Sequence, residues 1–158
     1  MLKKLRKSNQ GFTIIEVLIV LAIAGLILLI VFLAVPALQR NSRNTTIKND
    51  AASVAGAISE YESNNNGGAP ASITGTGTIT VGATGTTQAT ANVNGSTTVN
   101  TTAATATFTP SATAPAAGTL QAWLGHKCSG TASSRAIAIY YPIEQAGGLA
   151  SNPGCVDS

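Results

Sequence analysis

From Phe12 to Leu38 the chain is apolar, interrupted only by Thr13 and Glu16. Val17 to Leu38 is an uncharged run, long enough for a bilayer span, which takes about 20 residues at ~1.5 Å rise each. The pattern changes after Leu38 without a turn signal. Ile47, Ala51, Val54, Ala55, Ile58 and Tyr61 recur at spacings of three and four, which predicts one apolar stripe on an amphipathic helix. Arg43, Lys48, Asp50 and Glu60 are placed mainly off that stripe. The run Ser63-Asn64-Asn65-Asn66-Gly67-Gly68 then ends the helix, with Gly67 or Gly68 free to turn left-handed. Continuous from Phe12 to Glu62, such a helix would be roughly 75 Å long.

The second half of the chain reads as strands. Ile79-Thr80-Val81 alternates, and Ala91-Asn92-Val93 and Thr97-Thr98-Val99 flank Asn94-Gly95, a hairpin signal. Residues 63–126 contain no Asp, Glu, Lys or Arg, so a low-complexity linker is the competing reading there. Threonine favours strands and tips the choice. Further on, Leu120, Ala122 and Leu124 alternate with Gln121 and Trp123, although a short helix at 119–125 competes. Ile137, Ile139 and Tyr141 alternate with Ala136, Ala138 and Tyr140, and Ser129 to Ser134 joins the two runs as a hairpin. Gln145 to Ser158, with Gly147, Gly148, Pro153 and Gly154, is expected to be irregular. The fold class is therefore α+β, a long N-terminal helix against a small antiparallel β head. Four segments follow: a leader at 1–11, an apolar half-helix at 12–38, an amphipathic half-helix at 39–66 and a Thr/Gly-rich head at 67–158.

Composition sharpens this. Charged residues make up 9% of the chain, against about 25% in a typical soluble domain. Lys3, Lys4, Arg6 and Lys7 all precede Gly11, and removing these four takes the formal net charge from +3 to −1. The basicity belongs to the leader, so the rest offers no electrostatic case for nucleic acid. Basic residues before the span place the N-terminus in the cytoplasm and the remainder outside. Cys128 and Cys155, an even pair beyond the span, fit a disulfide in an oxidising compartment, with reduced buried thiols as the alternative. The loop so closed would contribute roughly 3.5 kcal/mol by chain entropy.

The most specific signal is Gly11-Phe12-Thr13-Ile14-Ile15-Glu16 followed by Val17-Leu18-Ile19-Val20-Leu21-Ala22. It resembles the processing and assembly motif of type IV pilins and their pseudopilin relatives, and the similarity runs through Gly25 to about Glu62. Cys128 and Cys155 match that family's C-terminal disulfide loop, whereas the middle of the chain shows no match. The resemblance implies that a prepilin peptidase cuts after Gly11 and methylates the new amine of Phe12. A glycine there leaves a protease unobstructed. It further implies that a pilus assembly ATPase and platform machinery draw the subunit from the cytoplasmic membrane into an extracellular homo-oligomeric filament.

Glu16 is the exception within the apolar run. A carboxylate at the bilayer centre costs a few kcal/mol, less near a helix end, where the helix dipole favours it. The resemblance implies more: Glu16 of one subunit neutralises the Phe12 amine of another. Losing one partner of such a buried pair typically costs about 3–5 kcal/mol, so the pair would set register. Adhesion itself would come from the apolar side chains, at about 25 cal/mol per Å² buried. Gly25 and Pro36 mark a segment where the helix is expected to kink or melt, although Pro36 falls later than in common family members.

Other readings are weaker. A secretory signal peptide would lack Glu16 and end in a small-x-small cleavage site, and only a poor one stands near Pro36. A tethered enzyme would need catalytic groups, but one histidine and few acids build no familiar active site. His126 with Cys128 lacks the further ligands of a metal site, so no metal or cofactor is expected. Within the family, the disulfide loop and long Thr-rich head favour a pilin serving adhesion, twitching motility or DNA uptake over a type II secretion pseudopilin. A host surface or DNA is the ligand class that this implies. Asn94-Gly95-Ser96 and Asn100-Thr101-Thr102 match the N-glycosylation pattern, one common by chance in this composition.

Overall fold

The computed structural model describes residues 11–83, 86–102 and 114–158. Residues 1–10, most of the expected leader at 1–11, lie outside them. The chain divides into two compact units, one ending at Leu38 and one spanning Gln39–Ser158. Helix α1, Ile14–Asn64, contributes to both.

In the first unit every residue from Gly11 through Leu38 is exposed. Phe12, Ile14, Leu33 and Leu38 are each more than two-thirds accessible. Among the described residues α1 is the helix long and apolar enough to cross a membrane. Helical geometry continues through both Gly25 and Pro36.

The second unit is built on the predicted stripe. Ile47, Ala51, Val54, Ala55, Ile58 and Tyr61 are all buried, with Val54 and Ile58 fully so. The other side of the helix stays wet with few charges, because hydroxyls fold back on it. Thr45, Thr46, Ser53, Ser59 and Ser63 each donate to the carbonyl four residues earlier.

The helix ends by a left-handed cap. Asn66 has φ 55° and Gly67 φ 76°, and Gly67 N–H donates to the Glu62 carbonyl at 2.7 Å. This is the six-to-one bond of a Schellman motif. Left-handed geometry at Gly67 was expected; that it starts at Asn66 was not. Asparagine tolerates the conformation better than most residues.

The sheet has seven strands: β1 (Ser72–Thr76), β2 (Thr78–Ala83), β3 (Thr86–Asn92), β4 (Thr98–Thr102), β5 (Thr119–His126), β6 (Ala132–Tyr141) and β9 (Gly154–Asp157). Two short strands between β6 and β9, β7 (Glu144–Gln145) and β8 (Gly148–Leu149), form a separate hairpin. The order across the sheet is β3-β2-β1-β4-β5-β6-β9. Inward residues face one another in register: Ile73 with Val81, Ile79 with Ala91, Val99 with Leu120, Ala122 with Ile139. Together with the helical stripe they form one core.

Three expectations change here. First, Asn94-Gly95 does not close a hairpin, because β3 and β4 are not neighbours. The meander β1-β2-β3 is followed by a strand returning beside β1, a Greek-key order. Residues 93–97 arch over the β1–β2 turn at Gly77, whose N–H donates to Thr97 O while its carbonyl accepts from Val93 N. A side chain at Gly77 would press on the Gly95 backbone at 3.3 Å, so this crossing needs glycine. Second, one pair departs from the expected antiparallel head: β4 and β5 run parallel, whereas the other paired strands among the described residues are antiparallel. Residues 119–126 are strand, as their alternation predicts, and the competing short helix does not form. Third, the tail is not irregular. Residues 154–157 form the edge strand β9 on β6, with Ile139 opposite Val156 and Tyr140 opposite Cys155.

Glu62 sits uneasily near the helix end. Its Oε1 is sealed from solvent with no hydrogen-bond partner among the described residues. Burial raises its pKa, and the nearby Arg135 charge offsets this only in part. A raised folded pKa means the carboxylate favours folding when protonated and disfavours it once ionised. Glu62→Gln should therefore raise the melting temperature by a few degrees at neutral pH. The gain over wild type should shrink as pH falls through the carboxylate range, as measured by thermal denaturation of the full chain.

Candidate processing and assembly site

The N-terminal site begins at an accessible peptide bond. Nothing lies within 4 Å of where a Gly11 side chain would stand, and the Phe12 side chain is 88% exposed. A protease can reach the Gly11–Phe12 bond without moving any described residue.

Three residues further on, the chain caps its own helix. Ile14 is the first helical residue, which makes Thr13 the N-cap and Glu16 the third position. Glu16 N–H donates to Thr13 Oγ1 at 3.3 Å, and Glu16 Oε2 accepts from Thr13 N at 2.9 Å and Thr13 Oγ1 at 2.8 Å. This reciprocal arrangement is a capping box. Thr13 was not among the candidate residues, although Thr-x-x-Glu ahead of an apolar run is a legible signal. The box uses one carboxylate oxygen. Oε1 makes no hydrogen bond to the described residues and can meet a cation.

A second cluster lies within the head unit, where Arg43 and Asn44 fasten strand β7, and Asp50 the β3–β4 arch, to α1. The Arg43 guanidinium grips the Glu144 carboxylate, Nε at 2.9 and 2.8 Å from its two oxygens and Nη2 at 2.7 Å from Oε2. Asn44 holds the same residue by its main chain. Its Nδ2 donates to Glu144 O at 2.8 Å and its Oδ1 accepts from Glu144 N at 2.7 Å, as a neighbouring strand would. Asp50, expected mainly off the stripe, is buried. It accepts from Thr97 Oγ1 at 2.7 Å and from Asn94 N at 3.2 Å. Both loop donors point at the helix, which draws an acidic side chain inward.

Cys128 and Cys155 are joined, with Cα atoms 5.8 Å apart. The bond ties the β5–β6 loop to edge strand β9, and Asp157 accepts from the Cys128 amide beside it. Tyr140 O–H donates to the Cys128 carbonyl at 3.3 Å, and burial raises its pKa. Cys128, Cys155 and Asp157 bring ligand-type atoms within 4.8 Å. Sulfurs bonded to one another are not thiolates, however, so the group does not fit a metal.

Residues 6–32 match the family model described as the prokaryotic N-terminal methylation motif. The matched stretch contains Gly11, Phe12, Thr13 and Glu16, the residues of the accessible bond and the capping box. Comparison with curated proteins and with solved structures returned no match.

Arg43 holds the Glu144 pKa below its ordinary 4.5. A depressed folded pKa gives stability that is present above about pH 4.5 and lost as pH falls through the lower folded value. Protection from hydrogen exchange across residues 143–150 should therefore drop below that window. Glu144→Gln should remove the acid step while leaving partial protection at all pH values, because Asn44 still holds the main chain.

Proposed function

The methylation motif at residues 6–32 is the signature of type IV pilins and prepilins, and from it we propose that this chain is the structural subunit of a type IV pilus. The precursor is held in the cytoplasmic membrane by α1. Prepilin peptidase cuts between Gly11 and Phe12 and methylates Phe12. The mature subunit joins a surface filament through its N-terminal helix. The motif carries the reading, and three features support it. The bond to be cut is accessible. The apolar surface from Phe12 to Leu38 is wholly exposed. The Cys128–Cys155 disulfide suits a head domain outside the cell.

In this reading Glu16 does two things. Oε2 caps its own helix through Thr13, and Oε1 meets the Phe12 ammonium of a neighbouring subunit. Methylation leaves that amine protonatable. A buried pair missing one member is costly, so a subunit added out of register leaves a carboxylate or ammonium stranded among aliphatic side chains. The helix between Gly25 and Pro36 absorbs whatever bend packing demands. A long Thr-rich head with a disulfide-bounded end favours a displayed filament over a short secretion pseudopilus.

Mass spectrometry of sheared fibres should give subunits that start at a methylated Phe12, and fibre subunits retaining residues 1–11 would contradict the proposal. Glu16→Ala should still insert and be cleaved, yet fibre yield by electron microscopy should fall at least about tenfold, in line with loss of a buried charge pair. Normal yield would refute the pairing role.

A further inference from the structure

Two Asn-Gly pairs occur among the described residues, and their surroundings differ in a way that bears on chemistry. Asn94-Gly95-Ser96 lies in the exposed arch between β3 and β4. Asn94 Oδ1 accepts from both Ser96 N at 3.2 Å and Ser96 Oγ at 3.0 Å. Gly95 has open space where a side chain would be, and its N–H has no hydrogen-bond partner among the described residues. The elements of an acyl-transfer site therefore stand together: an unoccupied amide nitrogen next along the chain, a side-chain carbonyl, and two donors on the oxygen where negative charge would develop. At Asn66-Gly67 the corresponding nitrogen is engaged, since Gly67 N–H donates to Glu62 O at 2.7 Å within the helix cap.

We propose that Asn94 is a self-modification site, at which the Gly95 nitrogen closes a succinimide on the Asn94 side chain that water then opens to aspartate or isoaspartate. Hydroxide removes the Gly95 amide proton, and the nitrogen forms a bond to Asn94 Cγ. Charge passes to Oδ1, where the two Ser96 donors receive it. Collapse expels Nδ2, which leaves as ammonia with a proton from water. Water then adds to one imide carbonyl. Breaking the new C–N bond yields aspartate, and breaking the original peptide bond yields isoaspartate. The net change is one water consumed and one ammonia released, with no oxidant or enzyme required.

The product disturbs a particular contact. Asn94 N–H is a ligand of buried Asp50, and Asn94 O accepts from Thr97 N at 2.8 Å. A carboxylate at position 94 adds like charge beside Asp50, in a stretch of 64 residues (63–126) with no charge of either sign. Isoaspartate also lengthens the main chain inside the arch. Either product releases residues 93–97 from the helix, so a filament would carry a record of its age at this loop.

The test is peptide mapping of the full chain after incubation in mildly alkaline buffer, with fragmentation that separates aspartate from isoaspartate. Conversion at Asn94 should exceed that at Asn66 by at least about tenfold, given what one oxyanion donor is typically worth, and the sites should converge in denaturant. Ser96→Ala should slow Asn94 severalfold, and Gly95→Ala should nearly stop it. Converted material should lose exchange protection at residues 93–98. Equal native rates at the two sites, an unchanged rate in Ser96→Ala, or an N-linked sugar on Asn94 would overturn the proposal.

Discussion

Everything here follows from the aliphatic surface between Phe12 and Leu38, which folding of the single chain leaves uncovered. A core helix hides such side chains inside its own domain. Here every residue of the stretch is exposed. At about 25 cal/mol per Å², leaving that area in water is prohibitive, so it must meet lipid or other apolar chains. In the proposed pilus reading lipid covers it in the precursor, and copies of the same surface cover it in the filament. The capping box at Thr13 and Glu16 satisfies helix-end donors within the chain, whatever surrounds it.

The head solves the opposite problem, holding a sheet with almost no charge. Its core is a thin layer of Ile, Val, Leu and Ala beneath the helical stripe. Small side chains bury little area each, so polar fastenings at the edges matter more than in a larger core. Thr101 shows the principle. Where β1 and β4 part after two register pairs, its hydroxyl accepts from Ile73 N at 3.1 Å and donates to Ile73 O. The hydroxyl replaces a missing rung of the ladder. Asp50, Asn44 and the Cys128–Cys155 bond act likewise at three other margins.

The helix and its stripe were legible because a period of three and four over 15 residues, from Ile47 to Tyr61, has no rival explanation. The strands at 119–126 and 132–141 were legible from the alternation at 120–124 and 136–141, although residues 132–134, expected in the connecting loop, extend the second strand. The path between strands was not. Asn94-Gly95 between alternating runs reads locally as a hairpin, yet the bonds that decide the path run from Gly77 to Val93 and Thr97. Such bonds depend on which strands are neighbours, a property absent from any short window. Asp50 was misplaced for a related reason. By composition it belongs on the wet side, and only two loop donors distant in sequence make burial affordable. Strand β9 was hidden by Gly and Pro around it and gains its place from β6 and the disulfide. Thr13 was legible from Thr-x-x-Glu ahead of an apolar run.

Asn44 reads only the main chain of Glu144, amide and carbonyl together. The tip of the β7–β8 hairpin, Gln145 to Gly148, contributes no side chain to that anchorage. Substitution at the tip can thus alter what the outer surface displays while the grip at its base stays the same. A polymer presenting this hairpin in many copies would have a place where surface identity can drift without threatening the scaffold.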